Sequence, residues 1–440
     1  MHTEGHETGQ DSRMVDIPHP PVIEKAVAVR VVLSQESPAE AEEALHELRE
    51  LERTAGADIV CTFEQHRSSP DPATYIGGGK LESIKAAIGE LGAETVLFDA
   101  DLGAAQGVKL EKALGVKIVD RTQLILDIFA GRAQTREGRM QVELAQLQYL
   151  LPRLTGRGSI MRQQGGIGVR GPGEQKLEVD RRVIRERITR LKAELEEVRK
   201  HRRIQRDRRT AQGIPTVALV GYTNAGKSSL LNALTGADAL AEDKLFATLD
   251  PLVRRCSLPG GGEALFADTV GFVRRLPHTL VAAFRATLEA VNEADLLLLV
   301  LDASHPAMEE HLRTVRNVLE EIGAAAIPFV KVYNKADLLD EGLLAGLTTD
   351  RAPHAVVSAL RGDGLRALLE MTQDQLRRGR TLLRLRVPQN RAAVLSQLRA
   401  RARILEIRYE GNDVLVDAEV ESGAAGRFAE WAEIGEGSGA

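Results

Sequence analysis

Cysteine is scarce: Cys61 and Cys256 are the only two in 440 residues, and neither sits in a CxxC or Cys/His ligand spacing. That argues against a disulfide framework and against a structural zinc, and makes a reducing cytosol the expected compartment. Long apolar runs are lacking as well. The most hydrophobic stretch, LLLLVLDA from Leu296, falls far short of the roughly 20 residues that span a bilayer. The opening MHTEGHETGQDSR is polar, without the apolar core of a signal peptide, so no membrane partner is expected. There is no global excess of positive charge: the net charge is -5 and the pI about 6.1. HExxH and GxSxG are absent. What remains is ordinary for soluble globular protein, with 43% hydrophobic and 28% charged residues. The length argues for two to four domains.

Residues 1–22 read as a disordered tail ending in IPHPPV. From 23 to 131 apolar runs alternate with helical patterns. AVAVRVVL, DIVCTF, ETVLFDA and VKIVD read as strands, and PAEAEEALHELRELERTAG, LESIKAAIGELG and AAQGVKLEKALG as helices. Continuous Val/Ile/Leu strands between helices predict a small parallel α/β sheet. The segment 132–212 is different. A helix over 134–151 is expected to stop at Pro152, and TGRGSIMRQQGGIGVRGPGEQ (155–175) has almost no apolar periodicity. Leu177, Ile184, Ile188, Leu191, Leu195 and Val198 then form an a/d seam, suited to a helical hairpin or short coiled coil over 177–209. It ends in HRRIQRDRR (201–209), which is either a solvated helix face or, following an arginine-bearing glycine loop, a nucleic-acid surface. A second α/β unit occupies 213–380, and 381–440 reads as a small α+β module with a tail.

The chemistry is concentrated in that second unit. GYTNAGKS comprises Gly221, Tyr222, Thr223, Asn224, Ala225, Gly226, Lys227 and Ser228. It follows the strand-like TVALV and opens the helix-like SSLLNALTG at Ser229. That is the context a phosphate-binding loop requires, with backbone amides turned inward at a helix N-terminus. Lys227 is expected on the β- and γ-phosphates and Ser228 on Mg²⁺. NKAD adds base selectivity. Asp337 can accept from the ring N–H and the exocyclic amine of guanine, which adenine cannot satisfy. Asn334 and Lys335 would brace base and phosphate loop, with Ser358 and Ala359 at the keto oxygen. Between these motifs lie two γ-phosphate sensors. FATL (Phe246, Ala247, Thr248, Leu249) offers Thr248 to Mg²⁺, and DTVGF (Asp268, Thr269, Val270, Gly271, Phe272) offers Asp268 to Mg²⁺ through water and the Gly271 amide to phosphate. Phe272 stands where many GTPases carry a water-orienting glutamine, so the basal rate is expected to be slow, about 10⁻⁴ to 10⁻² s⁻¹.

The order of phosphate loop, Thr, DxxG, NKxD and SA is that of translation-factor-related GTPases. DTVGFVRRLPHTLVAAFRATLEA, MQVELAQLQYLLPRL, GGIGVRGPGEQKLEVDRR and TYIGGGKLESI resemble the ribosome-associated GTPase family HflX, over roughly residues 25 to 420. Its members also carry phenylalanine after the DxxG glycine. The resemblance implies a GTPase stimulated by the ribosome, and a monomer suits such a ribosome ligand best; the composition already points to the cytoplasm. Such a factor would bind the 50S subunit, split stalled or idle 70S particles under stress, and leave on hydrolysis. It further implies that the Gly/Arg segment faces 23S rRNA near the peptidyl-transferase region, with Arg157, Arg162 and Arg170 as contact candidates. A nucleotide-dependent RNA chaperone or helicase is the alternative. Some members are credited with ATP-dependent RNA unwinding through the N-terminal domain, but YIGGGKLESI here lacks phosphate-loop spacing and reads as a helix-initiating turn carrying Lys80.

Overall fold

The computed structural model describes residues 24–34, 36–161, 172–211, 214–236, 245–249, 252–274, 285–347, 352–378, 380–421 and 428–432. Four strands, β1 (Glu24–Leu33), β2 (Ala57–Arg67), β3 (Thr95–Phe98) and β4 (Lys117–Asp120), form a wholly parallel sheet in the order β2-β1-β3-β4. Three of its helices are the expected ones: α1 (Pro38–Ala55), α2 (Gly78–Leu91) and α3 (Ala104–Leu114). Helix α1 starts with a capping box between Ser37 and Glu40 and ends on left-handed Gly56 (φ 82), a start and stop both written in the sequence. The YIGGGK turn does open α2, with Gly77 as N-cap, and Lys80 Nζ lies 5.5 Å from the centroid of the Phe63 ring. A fourth helix, α4 (Arg121–Arg132), was not anticipated. It follows β4 with no intervening loop, and its only sequence signal is the N-cap Asp120, which accepts from the Gln123 amide at 2.9 Å just before LILDIF.

Helix α5 (Arg136–Met161) runs through Pro152 instead of stopping there. Proline removes one helical hydrogen bond. The helix survives because its flanks are held: Met140 and Leu144 pack on Leu191 and Leu195 of α6 (Pro172–Ala211), and the Arg153 guanidinium donates to the Tyr149 carbonyl at 3.1 Å. The a/d seam therefore closes an antiparallel hairpin on α5. Of the RNA-contact candidates, Arg162 and Arg170 lie outside the described residues, as does the side chain of Arg157.

The central sheet is six-stranded, in the order β10-β9-β8-β5-β7-β6. Its members are β5 (Thr216–Gly221), β6 (Leu252–Ser257), β7 (Glu263–Asp268), β8 (Leu296–Asp302), β9 (Phe329–Asn334) and β10 (His354–Val356). Only the edge strand β6 is antiparallel to its neighbour. Helices α7 (Lys227–Thr235), α8 (Arg285–Asn292), α9 (Met308–Glu321), α10 (Glu341–Leu347) and α11 (Leu365–Arg378) belong to this unit. The third sheet is antiparallel, β11 (Arg380–Pro388), β13 (Asp413–Glu421) and β12 (Ala402–Glu410) in that spatial order, with α12 (Ala392–Arg401) packed on it. The protein is thus multidomain α/β. Among the described residues no helix is long and apolar enough to cross a membrane.

The first two units share a core. Leu245, Phe246, Leu249, Val270 and Val273 belong to one buried cluster with Leu48, Leu51, Leu124 and Phe129. The Phe129 and Phe246 rings meet edge to face at 4.6 Å. Beside this apolar seam, Arg121 is buried and contacts Glu47 at 2.6 Å and Asp99 at 2.6 Å. Removing one partner of such a buried cluster leaves uncompensated charge. Arg121→Met should therefore cost about 3–5 kcal/mol, seen as a clear fall in the melting temperature of the full chain. An unchanged melt would mean that Glu47 and Asp99 are hydrated or protonated in the folded protein.

Candidate nucleotide site

Every strand that carries a site residue ends at one edge of the central sheet, which is where parallel α/β sheets bind ligands. β5 delivers the loop Tyr222–Gly226, β7 delivers Asp268, and β9 delivers Asn334. Close approach explains the glycines. A Cβ on Gly226 (φ 87) would collide with the Asn334 amide, and one on Gly271 would lie 2.6 Å from Thr223 Cγ2 and 3.1 Å from Lys227 Nζ. Asn224 adopts φ 60, a left-handed conformation that asparagine tolerates.

Lys227 is buried, and its Nζ donates to the Tyr222 carbonyl at 2.8 Å and the Gly221 carbonyl at 3.2 Å. Burial pushes the ammonium pKa down to about 8, against the opposing attraction of Asp268. Ser228, Thr248 and Asp268 converge although 40 residues separate the first from the last. Ser228 Oγ donates to Asp268 Oδ2 at 2.5 Å, Thr248 Oγ1 donates to the same oxygen at 2.7 Å, and the two hydroxyls are 2.7 Å apart. Asp268 Oδ1 and Thr223 Oγ1 are buried with no hydrogen-bond partner. An all-oxygen set with an orphaned carboxylate oxygen fits a hard cation such as Mg²⁺.

Asn334 acts as a brace: its Nδ2 donates to the Ala225 carbonyl at 3.0 Å, and its Oδ1 accepts from the Ala359 amide at 3.0 Å. Ser358 Oγ donates to Asp337 at 2.6 Å, and Lys335 (φ 63) pairs with Asp302 at 2.6 Å. Thr269 Oγ1 donates to the Leu219 carbonyl at 2.6 Å. The segment 245–249 closes over the phosphate loop. Thr223, Asn224, Gly226, Lys227, Ser228, Ser229, Phe246, Ala247, Thr248, Thr269 and Gly271 line a small pocket of about 50 Å³ beside them.

Phe272 points away from that space. It is fully buried against Val220, Leu288, Val291 and Val315, while its backbone N–H donates to Gly221 at 3.1 Å and its carbonyl accepts from Thr223 at 2.8 Å. Sequence reasoning missed what lies behind the loop. The Tyr222 hydroxyl donates to Glu47 at 2.7 Å and accepts from the Arg274 amide at 2.8 Å, and Arg121 donates to the Arg274 carbonyl at 3.1 Å. The Arg274 side chain in turn reaches the Glu40 carbonyl at 2.9 Å and Glu310 at 3.3 Å. Glu47 and Arg121 stand in no motif, so nothing but their later burial marks them.

The fold and the spacing of these motifs define a GTP-binding P-loop GTPase. Residues 42–130 match the family described as GTP-binding GTPase N-terminal, residues 132–209 the GTP-binding GTPase Middle Region, and residues 216–335 the 50S ribosome-binding GTPase. The chain is 49% identical over 398 residues to the GTPase HflX of Caldanaerobacter subterraneus subsp. tengcongensis, covering 90% of this chain and 91% of that protein. To the GTPase HflX of Escherichia coli K12 it is 48% identical over 319 residues, 72% of this chain and 74% of the relative. It belongs to the HflX family of GTPases. A solved GTP-binding protein from Sulfolobus solfataricus in complex with GDP is 27% identical and covers 80% of this chain and 99% of that one, at a TM-score of 0.42.

Three experiments test the site. Lys227 held near pH 8 by burial must become fully charged when phosphate replaces its carbonyl partners. GTP binding at pH 8–9 should therefore take up a proton, and free-protein stability should rise as pH passes from about 8 toward the unfolded value near 10.4. Calorimetry in buffers of different ionisation enthalpy measures this, and proton release would contradict it. Lys227→Ala should abolish measurable GTP binding, and Asp337→Asn should shift preference from guanine to xanthine nucleotides in competition assays.

Proposed function

We propose that this GTPase acts on the ribosome as a splitting factor: it docks on the 50S subunit in the GTP state, separates stalled or idle 70S particles, and leaves on hydrolysis. In this reading Lys227 and the amides of 221–229 hold the phosphates. Ser228, Thr248 and, through water, Asp268 hold Mg²⁺, Gly271 meets the γ-phosphate, and Asn334, Lys335, Asp337, Ser358 and Ala359 select guanine. The ion's contribution is to neutralise charge on the transferring phosphoryl group. The α5–α6 hairpin presents its Gly/Arg tip to 23S rRNA, and the protein works as a cytoplasmic monomer.

The observation that carries the reading is the burial of Phe246, Leu249, Val270 and Val273 in a core shared with the N-terminal domain. Segments that line the phosphate pocket, 245–249 and the turn at Gly271, are the same ones that seat that domain. Nucleotide state and the posture of the RNA-facing part are therefore coupled, which a splitting factor needs and a freestanding hydrolase does not. Sedimentation of 70S particles incubated with the protein and a non-hydrolysable GTP analogue should show free subunits, with GTP required only for turnover. Intact 70S together with unwinding of duplex RNA would favour the chaperone reading.

Hydrolysis without a glutamine is expected to wait for the ribosome to order the segment after Asp268. Because Phe272 faces the core, Phe272→Gln buries an unpaired amide at a cost of about 1–3 kcal/mol and brings no amide to the phosphate. The single-turnover basal rate should not rise. A tenfold gain would show that position 272 can reach the water after all.

A further inference from the structure

The seam between the first two domains holds a second polar centre, separate from the Mg²⁺ set. A cavity of about 240 Å³ beside the phosphate loop is lined by Glu43, His46, Glu47, Tyr222, His305 and His311, among others. Glu43 projects from α1 between two imidazoles of the GTPase unit. Its Oε1 lies 3.2 Å from His311 Nε2 and its Oε2 3.7 Å from His305 Nε2. One ligand atom from each of Glu43, His305 and His311 can be chosen so that all lie within 4.8 Å of one another, and the two rings are 4.5 Å apart.

We propose that Glu43, His305 and His311 form a zinc site that clamps the N-terminal domain onto the GTPase domain beside Tyr222. Two imidazoles and one carboxylate, with a fourth position open to the cavity, is a donor set that zinc takes and that Mg²⁺, which prefers an all-oxygen octahedron, does not. The site is partly preorganised. The His311 ring stacks on the Tyr222 ring at 3.8 Å and 6°, and Tyr222 is itself fixed at both sides of its hydroxyl. His46, edge-on to His305 at 6.3 Å, stands behind the site.

Loading has an identifiable local cost. The Ala307 amide donates to His305 Nδ1 at 3.1 Å, which places the proton of the free ring on Nε2. On metal binding through Nε2 of both rings, the Nε2 proton of His305 and the Nε2 proton that His311 donates to Glu43 each move to Nδ1, and the His305 ring gives up its bond from the Ala307 amide. No net proton is released and no redox step is involved. The scarcity of cysteine spoke against a structural zinc, but here the ligands come from two domains and none is a cysteine.

The test uses the tag-free, full-length protein, stripped with chelator and free of nucleotide, titrated with Co²⁺ and then Zn²⁺. One equivalent of Co²⁺ should give a visible d–d band that Zn²⁺ removes and millimolar Mg²⁺ leaves alone. Glu43→Gln, His305→Gln and His311→Gln should each weaken binding by about tenfold or more, while His46→Gln keeps the band. Zinc should raise the melting temperature of the wild type but not of the His305→Gln/His311→Gln double variant. A band that persists in the double variant would place the metal elsewhere, for instance on His2, His6 and His19, and overturn the proposal. So would the absence of any band in the wild type. Should the variants fail to fold, zinc-edge X-ray absorption on the wild type decides: a shell of nitrogen and oxygen with two imidazoles supports the site, and a sulfur ligand or a shell without imidazole refutes it.

Discussion

The structure depends on a buried guanidinium. Arg121 lies between Asp99 and Glu47, and Glu47 in turn receives the hydroxyl of Tyr222 from inside the phosphate loop. Taking these charges out of water costs more than most packing contacts return, and the cost is offset by Glu47, Asp99 and the Arg274 carbonyl on the two terminal nitrogens, while Nε has no partner. That pairing fixes α1, α4, the phosphate loop and the Arg274 backbone in one mutual arrangement. The apolar seam of Phe129, Phe246 and Val273 can then close beside it with little freedom left.

Once the seam exists, the nucleotide site inherits its constraints. Segment 245–249 cannot leave the phosphate loop without exposing Phe246 and Leu249 to water, and 270–274 cannot move without disturbing Tyr222 or Arg121. The orphaned Asp268 oxygen and the depressed Lys227 pKa show a site built for charges that its own groups do not supply. Nucleotide binding should therefore release local frustration on one side while straining the seam on the other.

Phe272 takes its meaning from the same geometry. In the sequence it is a missing amide. In the fold it is a core residue whose backbone pairs the DxxG turn to the phosphate loop at both Gly221 and Thr223. Its side chain anchors the turn and leaves water positioning to other groups.

The sequence alone determined the motif chemistry, because phosphate loops, NKxD turns and capping boxes are local: the residues that act are adjacent and their backbone geometry follows from glycine, asparagine and strand-helix alternation. The α1 caps, the parallel order of apolar strands and the α5–α6 seam were legible for the same reason. Helix α4 was legible only through its cap, Asp120 with Gln123, since no breaker separates it from β4, and the passage through Pro152 was not, since packing on α6 outweighs one lost bond. Tertiary structure alone decided that Glu47, Arg121 and Tyr222 would meet, that Glu43 would stand between His305 and His311, and that Phe272 would face inward. Residues 75 or 175 positions apart carry no shared local signal, and only burial, which forces each charge to find its partner, brings them together.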